Sequence, residues 1–311
     1  MRQQVAAGVA ASSPRVRAGA ISLMTGVAIL VLKLAAYLVT GSVALLSDAA
    51  ESIVNVVAAN VALISLLVAV RPPDDRHQYG HAKAEYVSSA TEASMIGVAG
   101  LVIVASATNR LIHPQPLERL PLGLALMGAA AAANLAVAVV LLRVSRAERS
   151  IALEASARHL LSDVLTSVGV FAGVALVAQT GWTPLDAITA MVVGANIIWM
   201  GVALYRRSIG GLMDVRLPPD DEAKIRAIFD AHRDEIVEYH GMRTRQAGAA
   251  RFLDLHLVLH RTLTVGQAHG LTDDLEQHVE EALPGSDVTI HVEPCERSCP
   301  RCTAFERSAR R

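Results

Sequence analysis

Charge is scarce in this sequence, and what there is sits unevenly. Of 311 residues 18% are charged and 52% hydrophobic, with a mean hydropathy of +0.40, whereas a soluble globular chain carries about a quarter charged residues. Residues 18–70 hold three charges (Lys33, Asp48 and Glu51), and residues 208–311 hold 31. That split excludes a single soluble domain, and a disordered or fibrous chain with it. A basic excess is also lacking: the net charge is −1, which argues against a nucleic-acid partner. The three cysteines, Cys295, Cys299 and Cys302, all lie near the C-terminus and imply no disulfide framework. No H-E-x-x-H pair is present, so a membrane metalloprotease is discounted. The N-terminal stretch has no apolar core long enough for a signal peptide, so the first apolar segment is expected to stay in the bilayer as an anchor.

What is there begins with long apolar runs. A membrane span needs about 20 of them in a row, and six segments qualify: residues 18–40, 42–70, 85–112, 120–144, 151–179 and 184–205. The loops on one side hold a single arginine. Those on the other hold Arg2, Arg15, Arg17, Arg71, Arg76, Lys83, Arg143, Arg146, Arg149, Arg206 and Arg207. The excess of positive charge places that second side, and both termini, in the cytoplasm. The expected location is the inner (cytoplasmic) membrane, with a cytosolic tail over residues 1–17 and a six-helix transmembrane domain over residues 18–207.

From residue 208 to 294 the pattern is that of a soluble domain, followed by a tail over 295–311. Helical spacing recurs at 221–232 and 267–283. Residues 252–260 and 287–293 alternate with a period of two, placing Leu253, Leu255, Leu257 and Leu259, and then Val288, Ile290 and Val292, inward. With a further strand expected at 235–244, the order is αββαβ, a small two-layer α+β domain.

Ionisable groups inside spans are costly and are functional candidates by default. His159 and Asp163 lie four apart in the fifth span, on one helix face. Asp48, Glu51 and Asn55 share a face of the second. If the two faces meet, Glu51, Asn55, His159 and Asp163 offer imidazole nitrogen and oxygen donors to a divalent first-row metal. Plain polar glue between helices is the competing reading. Lys33 either snorkels or pairs within the bundle. The loop after the second span carries Asp74, His77 and His81, with Gly80 free to turn. Seven of the eleven histidines follow residue 208. Alternation directs His256 and His260, and His291 with Glu293, to the outward faces of two strands, while His240 and His269 lie nearby in sequence. These can gather a cytosolic metal, or remain inert surface groups. The tail spacing C-x3-C-x2-C can hold zinc only with a fourth ligand; reduced thiols without metal are the alternative.

In order and spacing, GSVALLSDAAES, HQYGHAKAE, ARHLLSDVLTS, LMD at 212–214, RTRQAGAARF, QAH and PGSDVTIHVEP resemble the cation diffusion facilitator family, in particular its bacterial zinc/iron efflux branch. The resemblance implies a transport site at Glu51, Asn55, His159 and Asp163, although the family usually has Asp or His followed by Asp where Glu51 and Asn55 stand. It implies a loop site at Asp74, His77 and His81. It further implies a cytosolic site at His240, His256, His269, His291 and Glu293, where Asp is more usual than Glu. His260 matches nothing in the pattern. Lys83 and Asp214 match an inter-subunit charge pair, and the soluble part a metallochaperone-like dimerisation module.

The function so implied is not enzymatic. It is efflux of a divalent cation by proton antiport, as a homodimer, with Zn2+ first by ligand type and Fe2+, Co2+, Mn2+ and Cd2+ open. Histidine suits a proton-coupled site, because its charge changes near neutrality and the protonated ring cannot ligate metal. A membrane-anchored metal sensor or scaffold, binding metal without moving it, is the competing reading.

Overall fold

A computed structural model describes residues 13–40, 43–113, 121–182 and 184–296. Six long helices come first: α1 (Pro14–Thr40), α2 (Val43–Ala69), α3 (Ala84–Ile112), α4 (Pro121–Glu148), α5 (Ile151–Thr180) and α6 (Pro184–Leu212). Each has 27–30 residues, about 40–45 Å at 1.5 Å per residue, more than the roughly 30 Å hydrocarbon layer requires. All six contain a segment long and apolar enough to cross a membrane. The helices overrun the apolar segments at the water-facing ends. α6 continues past Tyr205 to Leu212, and the chain divides into two units between Leu212 and Met213.

α3 and α6 approach at backbone distance. A Cβ on Gly100 would lie 3.0 Å from the Gly194 carbonyl oxygen, and one on Gly201 would lie 2.9 Å from the Gly97 nitrogen. Without a hydrophobic driving force in lipid, such small-residue seams let helices gain van der Waals contact. Polar groups line another stripe of α3. Glu85, Ser88, Ser89 and Glu92 recur at helical spacing and all are buried. Ser89 shares a 2.7 Å hydrogen bond with Ser208 of α6, and Ser156 of α5 donates to Glu92 at 2.8 Å.

The start of α5 explains the burial of Glu85. Ser150 caps that helix by accepting from the Leu153 N–H. Its hydroxyl donates to Glu85 Oε2 at 2.6 Å, the Ala152 N–H donates to the same oxygen at 3.4 Å, and Arg15 reaches Oε1 at 3.4 Å. A carboxylate at a helix N-terminus is favoured by the unsatisfied N–H groups there. Arg15 also bonds Glu148 at 3.1 Å, so one knot ties α1, α3, α4 and α5.

The second unit contains α7 (Pro219–Ala231), β1 (Glu238–Ala247), β2 (Ala250–Leu259), α8 (Val265–Ala282) and β3 (Ser286–Pro294). The sheet order is β1-β2-β3, with β1 antiparallel and β3 parallel to β2. Leu253, Leu255, Leu257 and Leu259 are buried against Ile225 and Phe229 of α7 and Leu275 and Val279 of α8. Burying each such side chain is worth about 1.5–3 kcal/mol. Thr264 and Gln267 form a reciprocal capping box on α8.

Three sequence expectations shift. β1 starts at Glu238 rather than 235, because Ile236 turns into the core, and its register breaks between His240 and Arg243, where Gly241 takes φ +62°. His260 does not stand on the outward strand face: it lies past the end of β2, buried, with Nδ1 2.6 Å from Thr262 Oγ1. Val292 is 39% exposed rather than inward.

Replacing Glu85 with alanine would strand the Ser150 hydroxyl and the Ala152 N–H and leave Arg15 to Glu148. The expected loss is about 1–3 kcal/mol, read as a lower melting temperature of the detergent-purified protein. An unchanged melt would show that this carboxylate does not tie the helices.

Candidate functional site

Within the six-helix unit α2 and α5 do meet at the expected turns. The Asn55 side chain bridges the two α5 groups: its Oδ1 accepts from His159 Nε2 at 3.0 Å, and its Nδ2 donates to Asp163 Oδ2 at 3.0 Å. An amide oxygen can only accept, so this bond places a proton on His159 Nε2. Asp163 Oδ2 accepts a second amide, from Asn134 Nδ2 of α4, at 3.5 Å. The Thr166 and Ser167 hydroxyls return to the Asp163 carbonyl at 2.8 and 2.9 Å. A cavity of about 140 Å³ opens here, its wall including Lys33, Ser52, Asn55, Asn134, Asp163 and Thr166. Glu51 lies one turn before Asn55 on α2, but its side chain and that of Asp48 fall outside the described residues. Lys33 is therefore a wall residue of this cavity, a location that its sequence context left open. Asn134 was not singled out in the sequence. The available signal was a lone carboxamide in the run GAAAAANLAVAV, where lipid should exclude it.

The loop residues Asp74, His77 and His81 bring one ligand atom each to within 4.8 Å of one another. Asp74 Oδ1 accepts the backbone N–H groups of Arg76 (2.9 Å) and His77 (2.7 Å), a tight polar turn, and Gly80 follows with φ +79°. His77 Nδ1 stands 3.2 Å from Oδ1 and His81 Nε2 stands 3.4 Å from Oδ2. The His77 backbone N–H, with smaller help from the other donors, holds the Asp74 carboxyl below its usual range. The other nitrogen of His81 is buried and finds no hydrogen-bond partner among the described residues.

In the second unit, strand register does the gathering. His240, His256 and His291 stand opposite one another across β1, β2 and β3, with neighbouring ring centroids 5.3 and 4.9 Å apart. Glu293 binds into this row. His256 Nδ1 lies 2.7 Å from its Oε1, His240 Nε2 3.7 Å from Oε2, and His291 Nε2 3.9 Å from Oε1. His240, His256 and Glu293 can hold an ion together. His269 is placed elsewhere, exposed on α8 and 3.3 Å from Asp273.

Lys83 donates to the Leu212 carbonyl at 3.4 Å, and Asp214 pairs with Arg245 at 3.5 Å. Cys295 continues the sheet edge, its N–H donating to the Leu259 carbonyl at 2.9 Å. Its side chain is buried and held in a disulfide. Cys299 and Cys302 lie outside the described residues.

A polytopic helical unit with histidine and carboxylate inside its spans, followed by a small αββαβ unit, defines a membrane cation carrier. Residues 20–213 match the cation efflux transmembrane domain, and residues 217–295 the cation efflux protein cytoplasmic domain. The chain is 45% identical over 276 residues to an uncharacterized transporter of Synechocystis, covering 89% of each. It is 30% identical over 267 residues to the cation-efflux pump FieF of Klebsiella pneumoniae, covering 86% of this chain and 88% of that one. The metal-bound C-terminal domain of the CzcD transporter from Thermotoga maritima is 28% identical, over 24% of this chain and 87% of that one, with a TM-score of 0.23. The chain belongs to the cation diffusion facilitator family. It is a multi-pass inner-membrane cation efflux transporter, not an enzyme, and its likeness to FieF fits the zinc/iron branch.

Glu293 supplies a pH test. The hydrogen bond with His256, first among its causes, holds this carboxyl below its ordinary value of 4.5. A depressed folded-state value gives stability that is present above 4.5 and lost as pH falls through the folded value. Glu293→Gln should therefore flatten the acid limb of a melting-temperature-against-pH curve for the full chain. A limb identical to the parent's would show that the pairing contributes nothing.

Proposed function

We propose that this transporter works as a homodimer, exporting a divalent cation from the cytoplasm in exchange for protons, with Zn2+ as first substrate. The observation that carries this reading is the Asn55 amide joined to His159 and Asp163 inside apolar helices. Glu51, Asn55, His159 and Asp163 form the transport site. Imidazole nitrogen and carboxylate oxygen suit zinc, while the amide in place of a family carboxylate lowers the negative charge that attracts the ion.

The chemistry is an exchange of partners. With the substrate bound, Asp163 and the bare imidazole nitrogen of His159 give their lone pairs to the ion. As it leaves, His159 regains its proton and donates to Asn55, and the carboxylates take up protons or amide hydrogen bonds. Metal affinity is thus tied to proton release. Alternating access comes from rocking of helix groups about a fixed mid-membrane site.

Asp74, His77 and His81 form a second, water-facing metal site at the cytoplasmic surface. His240, His256, His291 and Glu293 serve regulatory metal binding, which biases the dimer toward one arrangement by population shift. The cytoplasmic-domain match supports dimerisation, and Lys83 and Asp214 make an inter-subunit charge pair. Both termini are cytoplasmic.

Proton-driven zinc uptake into proteoliposomes tests this. Asp163→Ala should remove uptake while the protein still melts cooperatively. Uptake equal to the parent's would overturn the site. Metal-dependent dimerisation without any flux would decide instead for a sensor. Asn55→Asp, which adds a carboxylate, should tighten zinc binding and change the order of metals against which the protein protects an efflux-deficient host.

A further inference from the structure

Asp163 is served from two spans besides its own. Asn55 of α2 and Asn134 of α4 both direct an amide N–H at the same oxygen, Oδ2, at 3.0 and 3.5 Å. None of the proposed ligands lies on α4. Around Asn134 the helix is mostly alanine, with Leu135 and Val137 following, and Ala130 and Ala131 share the cavity wall with it. Small side chains leave room beside the carboxamide, and a carboxamide placed in a span without a partner carries a substantial desolvation cost. The partner it has is the one carboxylate that the transport reading places at the centre.

The geometry points to Asn134 as a positioning and specificity-determining residue of the transport site, an inference that rests on the reading above. In the ion-free arrangement its N–H and that of Asn55 clamp Asp163 Oδ2, fixing the carboxylate before the ion arrives. When Asp163 turns its lone pairs to an ion, the amide is released, and rotation about χ2 presents its neutral oxygen to the same cavity. The oxygen donors then include two neutral amides beside the carboxylates, and neutral carbonyl oxygen favours harder cations such as Mn2+ relative to zinc. Asn134 therefore does two things: it lowers the cost of ordering Asp163, and it weakens discrimination for zinc over manganese.

The experiment uses the full-length protein in proteoliposomes, with Zn2+ and Mn2+ uptake measured for the parent, Asn134→Ala, Asn134→Asp and Asp163→Ala. Loss of a hydrogen bond to a carboxylate should raise the KM for Zn2+ in N134A by about tenfold, with kcat changed by less than about twofold and the melting temperature unmoved. The zinc-to-manganese ratio of kcat/KM should rise in N134A and return toward the parent's in N134D, where a third carboxylate supplies an oxygen donor in the amide's place. Should N134A fail to assemble, Asn134→Ser carries the same comparison. Unchanged KM and unchanged metal ratio in N134A, with D163A inactive, would overturn the role of Asn134 and leave the transport site standing. Full activity of D163A would overturn the site itself. A drop in kcat and melting temperature with KM unchanged would reduce Asn134 to a packing residue and overturn the inference.

Discussion

A carboxamide sandwiched between an imidazole and a carboxylate, in helices otherwise built for hydrocarbon, is the constraint on which the six-helix unit turns. Asn55 has two functional ends, and each is used: the oxygen toward His159 and the nitrogen toward Asp163. In lipid the alternative to such pairing is an unsatisfied polar group at a cost of kilocalories, so the three side chains hold α2 and α5 in one register. The same pairing keeps the would-be ligands from drifting apart when no ion is between them. Under the proposed transport reading an ion competes with these hydrogen bonds, so that binding and release would be an exchange between two satisfied arrangements.

The two other clusters use the same device in water. Asp74 is fixed by backbone N–H groups from its own turn before either histidine reaches it, and Glu293 is set among a row of rings by strand register. In each case a carboxylate is held ionised by donors close at hand, and imidazoles converge on its two oxygens. Preorganisation of this kind reduces the ordering cost of ion binding. For the proposed metal binding it also means acid sensitivity, since protonated imidazole cannot serve as a ligand.

How far the sequence disclosed this depends on the range of the forces involved. The six spans, the leucine face of β2 and the pairing of His159 with Asp163 were legible because each follows from a period of two or 3.6 within one element. The cluster of His240, His256 and His291 needed only the further fact that three strands lie side by side. Asn134 and Lys33 were not legible as site residues, because nothing local says which neighbour a span presents to another. His260 was misplaced because the strand ends one residue before it, and a turn then takes the ring into the core with Thr262. The shifted start of β1 has the same kind of cause, a tertiary demand on Ile236 and a bulge at Gly241.

The glycine seam bears on how the six helices can move. α3 and α6 meet backbone to backbone at Gly100, Gly194 and Gly201, where an added Cβ would press on main-chain atoms. Such an interface tolerates little sliding, because close-packed surfaces are bistable rather than continuously deformable. The site residues lie on α2, α4 and α5, and its cavity wall also includes α1. α5 touches both groups: it presents Asp163 to the cavity while Ser156 is bonded to Glu92 of α3. A rocking motion that carries α3 and α6 as one body therefore changes the packing of α5 and loads the Arg15–Glu85 contact between α1 and α3. On the proposed alternating-access reading, the helix holding the imidazole and the central carboxylate is then also one whose packing changes between the two arrangements, which would couple the chemistry of the ion to the movement of the bundle.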